Sequence, residues 1–307
     1  MNSFYKNKKV LITGGCGFIG SHIAKLLVAA KAEVTIIDNL STGSIENIAS
    51  IYDKVTLITA SIENLQNCVH ASKDQEFIFH LAAFISVPQS FIEPQLCHAI
   101  NVTGTLHILE AARLNKVSNL VFSSSAAVYG PSTKICNEND PGAPQSPYGY
   151  TKMIGELYCQ QYANLFKINT VIARYFNVYG AGQNSNGSYA AAVAKFTQCM
   201  RTNAPITIYG DGMQTRDFIS VDTVAQANLL LGIQAQNYAG QIFNIGSGTS
   251  ITLLELIDRL KIEFPNYRLP IQFEPSRTGD VKFSAADCSK YQNIIKKQKG
   301  PENSEPF

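Results

Sequence analysis

Six short apolar runs punctuate the first 176 residues: "KVLIT", "EVTIID", "VTLIT", "FIFHLAA", "LVFSSS" and "TVIARYF". Each is rich in β-branched or aromatic residues, and each is separated from the next by material of helical period. Such runs predict buried strands, and their alternation with helices predicts a parallel sheet covered on both faces. The first helix is expected from about Gly17 to Ala30. From about Ala181 the pattern changes. "GAGQNSNGSYAAA" reads as a loop, with a helix near residues 190–202 after it. "ITIYGDG" reads as a short strand and turn, "SVDTVAQANLLLGIQ" as a helix, "QIFNIGS" as a strand returning to the main sheet, and "TLLELIDRLKIEF" as an amphipathic helix. The expectation is an α/β chain with a nucleotide-binding domain over 1–180 and a return segment at about 213–246. A smaller cap would be assembled from 181–212 and 247–295. The polar, aperiodic stretch "KKQKGPENSEPF" (296–307) is expected to be disordered.

Composition narrows the class. Of 307 residues, 45% are hydrophobic and 16% charged, which suits one large domain or two intimate ones. A net charge of +2 offers no electrostatic case for nucleic acid or an anionic membrane. No apolar run approaches the ~18 residues of a membrane span. Seven cysteines are scattered without a Cys-x-x-Cys pair, which points to reduced thiols in a cytoplasmic compartment. No His/Cys/carboxylate cluster has metal-ligand spacing.

Gly14, Gly17 and Gly20 stand at the exit of the first predicted strand, in "TGGCGFIGS". Glycines let the backbone turn tightly and approach a pyrophosphate, whose charge is favoured at the following helix N-terminus. Asp38 closes the second strand. Its carboxylate suits a ribose 2′-hydroxyl and would repel a 2′-phosphate, and Asn39 rather than Arg follows it, so both favour NAD over NADP. The expected fold is therefore a Rossmann-type doubly wound sheet with a smaller discontinuous α/β cap.

Three strands later comes "FSSSAAVYG", then "SPYGYTK". Ser146 is a plausible N-cap and Pro147 suits a first helical position, so the second segment opens like a helix. Residues four apart share a helix face, which pairs Tyr148 with Lys152 and turns Tyr150 elsewhere. A strand ending in three serines puts hydroxyls at the carboxyl edge of the sheet, where ligands bind in open α/β folds. A free tyrosine titrates near ~10, so an adjacent ammonium and a positive nicotinamide ring are expected to stabilise its phenolate.

Taken together, "TGGCGFIG", "HLAA", "SSSAAVYG", "YGYTK", "RYFNVYG", "GDGMQTRDFISVDT" and "RTGD" resemble the extended short-chain dehydrogenase/reductase family over nearly the whole chain. Within it the chain looks most like sugar-nucleotide C4 epimerases, particularly those acting on UDP-N-acetylhexosamines. The resemblance implies that Tyr148 is the acid/base, Lys152 its partner and Ser125 the hydroxyl that relays or holds the proton. It implies NAD contacts from Gly14, Gly17, Phe18, Ile19, Gly20, Asp38, Asn39, Ser41, Thr42, Gly43, Leu81, Ala82, Ala83 and Tyr175, with Ser124 beside the nicotinamide. At the adenine, where family members often carry Asp-Ile, this chain has Ser61 and Ile62. The expected reaction passes through a 4-keto sugar and consumes no NAD.

Related dehydratases carry an Asp-Glu pair after the Ser/Thr, and decarboxylases a Glu, by the same resemblance. Here those positions are Ala126 and Ala127, which cannot move a proton, and this favours epimerisation over elimination. Arg216 and Arg277 resemble diphosphate-clamping arginines. Asp280, Thr207 and Tyr209 would hold the nucleoside, and Asn177, Ala192 and Ser86 would meet phosphate or sugar. Ser284 stands where enzymes confined to plain glucose and galactose tend to carry Tyr, so it leaves room for an N-acetyl group. The expected substrates are UDP-GlcNAc and UDP-GalNAc or their uronic acid forms. The alternatives are a UDP-glucose 4-epimerase and a catalytically idle NAD-binding protein. A homodimer is expected through a four-helix bundle of helices near 98–114 and 148–166, as in family members.

Overall fold

The computed structural model describes residues 3–184, 192–276 and 281–299. The six predicted strands form as β1 (Lys9–Thr13), β2 (Glu33–Asp38), β3 (Val55–Thr59), β4 (Phe77–His80), β5 (Asn119–Ser125) and β6 (Asn169–Tyr175). The returning strand is β10 (Ile242–Ile245), and the sheet runs β10-β6-β5-β4-β1-β2-β3. All its pairings are parallel. The order reverses between β1 and β4, and that crevice is where a doubly wound sheet receives its ligand. Two separate hydrophobic cores cover the faces. One gathers Ile23 and Leu27 with Val224 and Leu231, and the other gathers Ile108 and Leu109 with Cys159 and Tyr162.

Of the smaller strands only the one in "ITIYGDG" was expected. β7 (Asn177–Tyr179), β9 (Thr215–Ser220) and β11 (Ser250–Thr252) make a three-stranded sheet, and β8 (Ile206–Tyr209) pairs in parallel with β12 (Ile271–Glu274). The helices Ala192–Arg201 and Leu253–Glu263 pack with these strands in a third core. Asp217 of β9 knots the pieces: its buried carboxylate accepts from Ser247 N and Oγ (both 2.7 Å), Gly248 N (3.0 Å) and Ala286 N (3.3 Å).

The expectation of disorder from residue 296 needs correction. The helix Ser289–Lys299 continues four residues into that stretch. It forms because Tyr291 and Ile294 bury themselves in the core of the main sheet, so a polar tail is carried on an anchored apolar edge. Residues 300–307 lie outside the described residues. Among the described residues no helix is long and apolar enough to cross a membrane.

Candidate active site

The glycine turn has the shape its sequence calls for. Gly14 sits at φ +70°, and a Cβ there would lie 2.7 Å from Ala82 N. A Cβ on Gly20 would stand 2.2 Å from Gly14 O, so this helix start can hug the turn only as glycine. Gly17 precedes the helix Phe18–Ala29, and no side chain caps that helix start. Asp38 accepts from Cys16 N at 2.9 Å and from Leu40 N at 2.8 Å. Each oxygen retains a lone pair, so the carboxylate is oriented and still able to accept from a ribose. A cradle that no Cβ could share, an uncapped helix start and an oriented carboxylate fit the adenosine diphosphate half of NAD.

The loop after β2 is turned on itself. Ser41 Oγ donates to Asn39 Oδ1 at 2.8 Å; Ser41 and Thr42 are exposed, and Gly43 packs over Cys16 and Asp38. Ser61 does not stand free. Its hydroxyl donates to Glu63 Oε2 at 3.0 Å and accepts from Glu63 N, while Ile62 is buried. Leu81 and Ala82 donate their N–H groups to Thr13 Oγ1 at 3.1 and 3.0 Å, which fixes the Leu81–Ala83 backbone above β1.

His80 lies under that backbone. Thr13 Oγ1 already accepts two N–H groups, so its own proton goes to His80 Nδ1 at 2.7 Å. Thr105 gives its proton to Asn101 O at 2.6 Å and so accepts from His80 Nε2–H at 3.0 Å. One neutral tautomer satisfies the whole chain of bonds. Burial, reinforced by the charge on Lys152, pushes His80 down to about 3.

The predicted helix forms over Pro147–Phe166, with Ser146 Oγ accepting from Gly149 N at 3.1 Å. Tyr148 and Lys152 share a face: Lys152 Nζ lies 5.9 Å from the centre of the Tyr148 ring and donates to Ser123 O at 2.9 Å. Ser125 and Tyr148 line the same cavity, and Ser125 Oγ accepts from Ala127 N at 3.2 Å. Burial raises Tyr148 above the ordinary tyrosine value; Ser125 pulls it back and Cys97 pushes it further up. Burial also lowers Lys152, to about 8. The chain's own groups thus do not make the phenol acidic, because the same desolvation that surrounds it weakens the ammonium beside it.

Ser124 also departs from its expected place. Its hydroxyl donates to Glu156 Oε1, which is held in turn by Arg174, so it points into the core and not into the cleft. Side chains alternate along a strand, and Ser124 takes the opposite face from Ser123, whose hydroxyl meets the Tyr175 phenol at 2.9 Å. Tyr175 donates onward to Asn228 Oδ1 at 2.7 Å.

A cavity of about 570 Å³ opens over this pair. Of the expected substrate residues, Ser125, Tyr148, Asn177, Ala192, Thr207, Tyr209, Arg216 and Ser284 line it, with Ala126, Ala127 and Tyr175. Arg216 is held by the carbonyls of Thr215 (2.8 Å) and Val281, and Asn177 donates to Asp217 O at 3.0 Å. Ser86 is absent from the lining described here. Its hydroxyl caps the short helix Val87–Ile92 by accepting from Gln89 N at 3.2 Å, which leaves its own proton to donate. Arg277 and Asp280 lie outside the described residues.

Several contributors were missed. Asn101, in the single π-helical turn Ala99–Thr103, grips Phe84 through both backbone groups and donates to Thr151 Oγ1 at 3.0 Å. An apolar wall of Ile85, Val87, Pro88 and Phe91 flanks the cavity, and Ser90 Oγ accepts from Tyr148 N at 3.2 Å. Glu156 was readable: it follows Lys152 by four residues and so shares its face.

Comparison with known proteins gives a consistent picture. The profile of the NAD dependent epimerase/dehydratase family matches residues 10–246. A putative UDP-glucose 4-epimerase of Methanocaldococcus jannaschii is 39% identical over 289 residues, covering 93% of this chain and 92% of that one. The structure of a UDP-N-acetylglucosamine 4-epimerase from Methanobrevibacter ruminantium, in complex with UDP-N-acetylmuramic acid, superposes with a TM-score of 0.89 at 36% identity, over 94% of this chain and 92% of that one. A UDP-glucose 4-epimerase from Thermotoga maritima with UDP-glucose gives 0.87 at 35% identity, over 93% and 91%.

Proposed function

The chain belongs to the NAD dependent epimerase/dehydratase family, and from that membership we propose that it interconverts UDP-GlcNAc and UDP-GalNAc, or their uronic acid forms, at C4. At the coarser level it is an NAD-dependent sugar-nucleotide 4-epimerase, an isomerase. One observation carries the choice of reaction. Among the described residues, the cavity beside Tyr148 is lined by no carboxylate and no histidine, and Ala126 and Ala127 stand in that lining. Elimination needs a further acid/base group near the sugar, whereas oxidation and re-reduction at one carbon need only one.

NAD, when bound, supplies the two-electron exchange at C4 and a positive ring. Tyr148 then takes the proton of the 4-hydroxyl and returns it, with Ser125 holding the phenolic oxygen in line. Lys152, pinned by the Ser123 carbonyl, keeps an ammonium against the Tyr148 ring. The wall of Ile85, Val87, Pro88 and Phe91 keeps water from the keto sugar. Thr207, Tyr209 and Arg216 offer the polar and cationic end that suits uridine diphosphate.

The N-acetyl preference is supported by Ser284 in the cavity lining, where a small side chain leaves space. The second reading, a UDP-glucose epimerase, is favoured by the names of two of the relatives above. Incubating the purified chain with each UDP-sugar separately, without added reductant, and resolving the products distinguishes them. Faster formation of UDP-GalNAc is expected. Much faster turnover of UDP-glucose would overturn the preference, and no turnover of either would leave an NAD-binding protein. Leu114, Leu157, Leu165 and Phe166, exposed on the helices Gly104–Leu114 and Pro147–Phe166, support a homodimer through these helices.

A further inference from the structure

Ser124 and Arg174 are cross-strand partners on β5 and β6, and both reach the same carboxylate on the helix above. Glu156 receives Arg174 Nε and Nη2, each at 2.7 Å, in a two-pronged pair whose side chains are only 5% and 3% exposed. The clip sits one residue below Ser125 on the strand and one helical turn beyond Lys152 on the helix. Nothing in the reaction as described above uses it, yet it occupies the joint between the two elements that carry Ser125, Tyr148 and Lys152.

We infer that Glu156 is a positioning residue: through Ser124 and Arg174 it fixes the end of β5 against the catalytic helix, and its carboxylate keeps a negative charge facing Lys152. The inference rests on the epimerase reading. Lys152 is faced by Glu156 and Cys159 from its own helix, by Cys97 from the helix Pro94–His98, by neutral His80 from β4, and by the Phe122 and Tyr148 rings. Burial drives its ammonium down to about 8, and Glu156 acts in the opposite direction. Cys97 and Cys159 are raised by burial and stay uncharged near neutrality, so Glu156 is the formal anion among these groups. On the far side, burial works against the charge of Arg174, but Glu156 outweighs it and raises the guanidinium. Arg174 also lies 4.6 Å from the Tyr129 ring, with Glu138, Asp140 and Lys290 as the charges beyond.

The test is the pH dependence of epimerisation by Glu156→Gln, an isosteric change that keeps a hydrogen-bonding oxygen for Ser124. The alkaline limb of kcat is expected to move down by about half a unit or more, with an ~3-fold loss at pH 9 and an unchanged KM for the UDP-sugar. A limb that stays in place, in a folded variant, overturns the inference. Breaking a buried pair can unfold a protein, so the double variant Glu156→Met with Arg174→Met is measured as well; removing both charges leaves an apolar joint that can pack. It is expected to keep its fold but lose at least ~3-fold in kcat, because Ser124 has lost its acceptor and β5 its clip. A folded double variant with the kcat and pH profile of the parent overturns the inference. Failure of the epimerase reading looks different: the unsubstituted chain would turn over no UDP-sugar at any pH.

Discussion

Lys152 Nζ is anchored to the Ser123 carbonyl at 2.9 Å while standing 5.9 Å from the centre of the Tyr148 ring. The ammonium is therefore placed by the backbone of β5, independently of the phenolic oxygen. Tyr148→Phe should leave Lys152 where it is and keep the fold, because the ring and its packing survive. Turnover should fall by about 10²–10⁴-fold, the usual worth of a general acid/base. Thermal melting and product analysis on one preparation check both halves; an unchanged rate removes Tyr148 from the mechanism.

Ser284 supplies a steric prediction. Ser284→Tyr should fill part of the cavity lining it occupies and lower kcat/KM for UDP-GlcNAc by at least about tenfold, while UDP-glucose is largely spared. Equal losses on both substrates would show that this position does not sort them.

His80 ties stability to pH. Its folded value is depressed to about 3 by burial and by Lys152, against ~6.5 unfolded. Between those values the unfolded chain binds more protons, so this group makes stability rise with pH and fall on acidification. From pH 7 to pH 4 its contribution to the loss is on the order of 3 kcal/mol. Urea unfolding at the two pH values measures it. His80→Gln should be less stable at pH 7, having broken the Thr13–Thr105 chain, yet show a shallower acid slope.

The exposed apolar side chains of the helix Pro147–Phe166 give a prediction about assembly. Leu157 is 59% exposed in the single chain. The parent protein should sediment as a dimer, and Leu157→Lys should shift it to monomer by placing charge in the paired helices. A monomeric parent would refute the four-helix arrangement.

Much of this was legible in the sequence, for identifiable reasons. The sheet declared itself because each buried parallel strand is a continuous apolar run, and the capping Ser146 with Pro147 marked a helix start that the fold respects. β7, β9, β11 and β12 did not, being 3 to 6 residues long with half-buried faces. Their pairing is set by tertiary contacts, which override local pattern. The raised phenol of Tyr148 was hidden for a different reason: spacing tells which charges are near, but not how much water has been removed from around them. Ser86 illustrates a related limit at a loop: sequence alone did not show that its hydroxyl also caps the helix Val87–Ile92.

The Asp217 knot has a consequence for synthesis. Six of the seven main strands have been made once Tyr175 leaves the ribosome, but Asp217 finds Ser247, Gly248 and Ala286 only later. At elongation speeds of ~5–20 residues per second, that leaves on the order of ten seconds in which the dinucleotide half can settle before its sugar-side roof exists. The nascent chain can thus meet its cofactor before it is able to enclose a substrate.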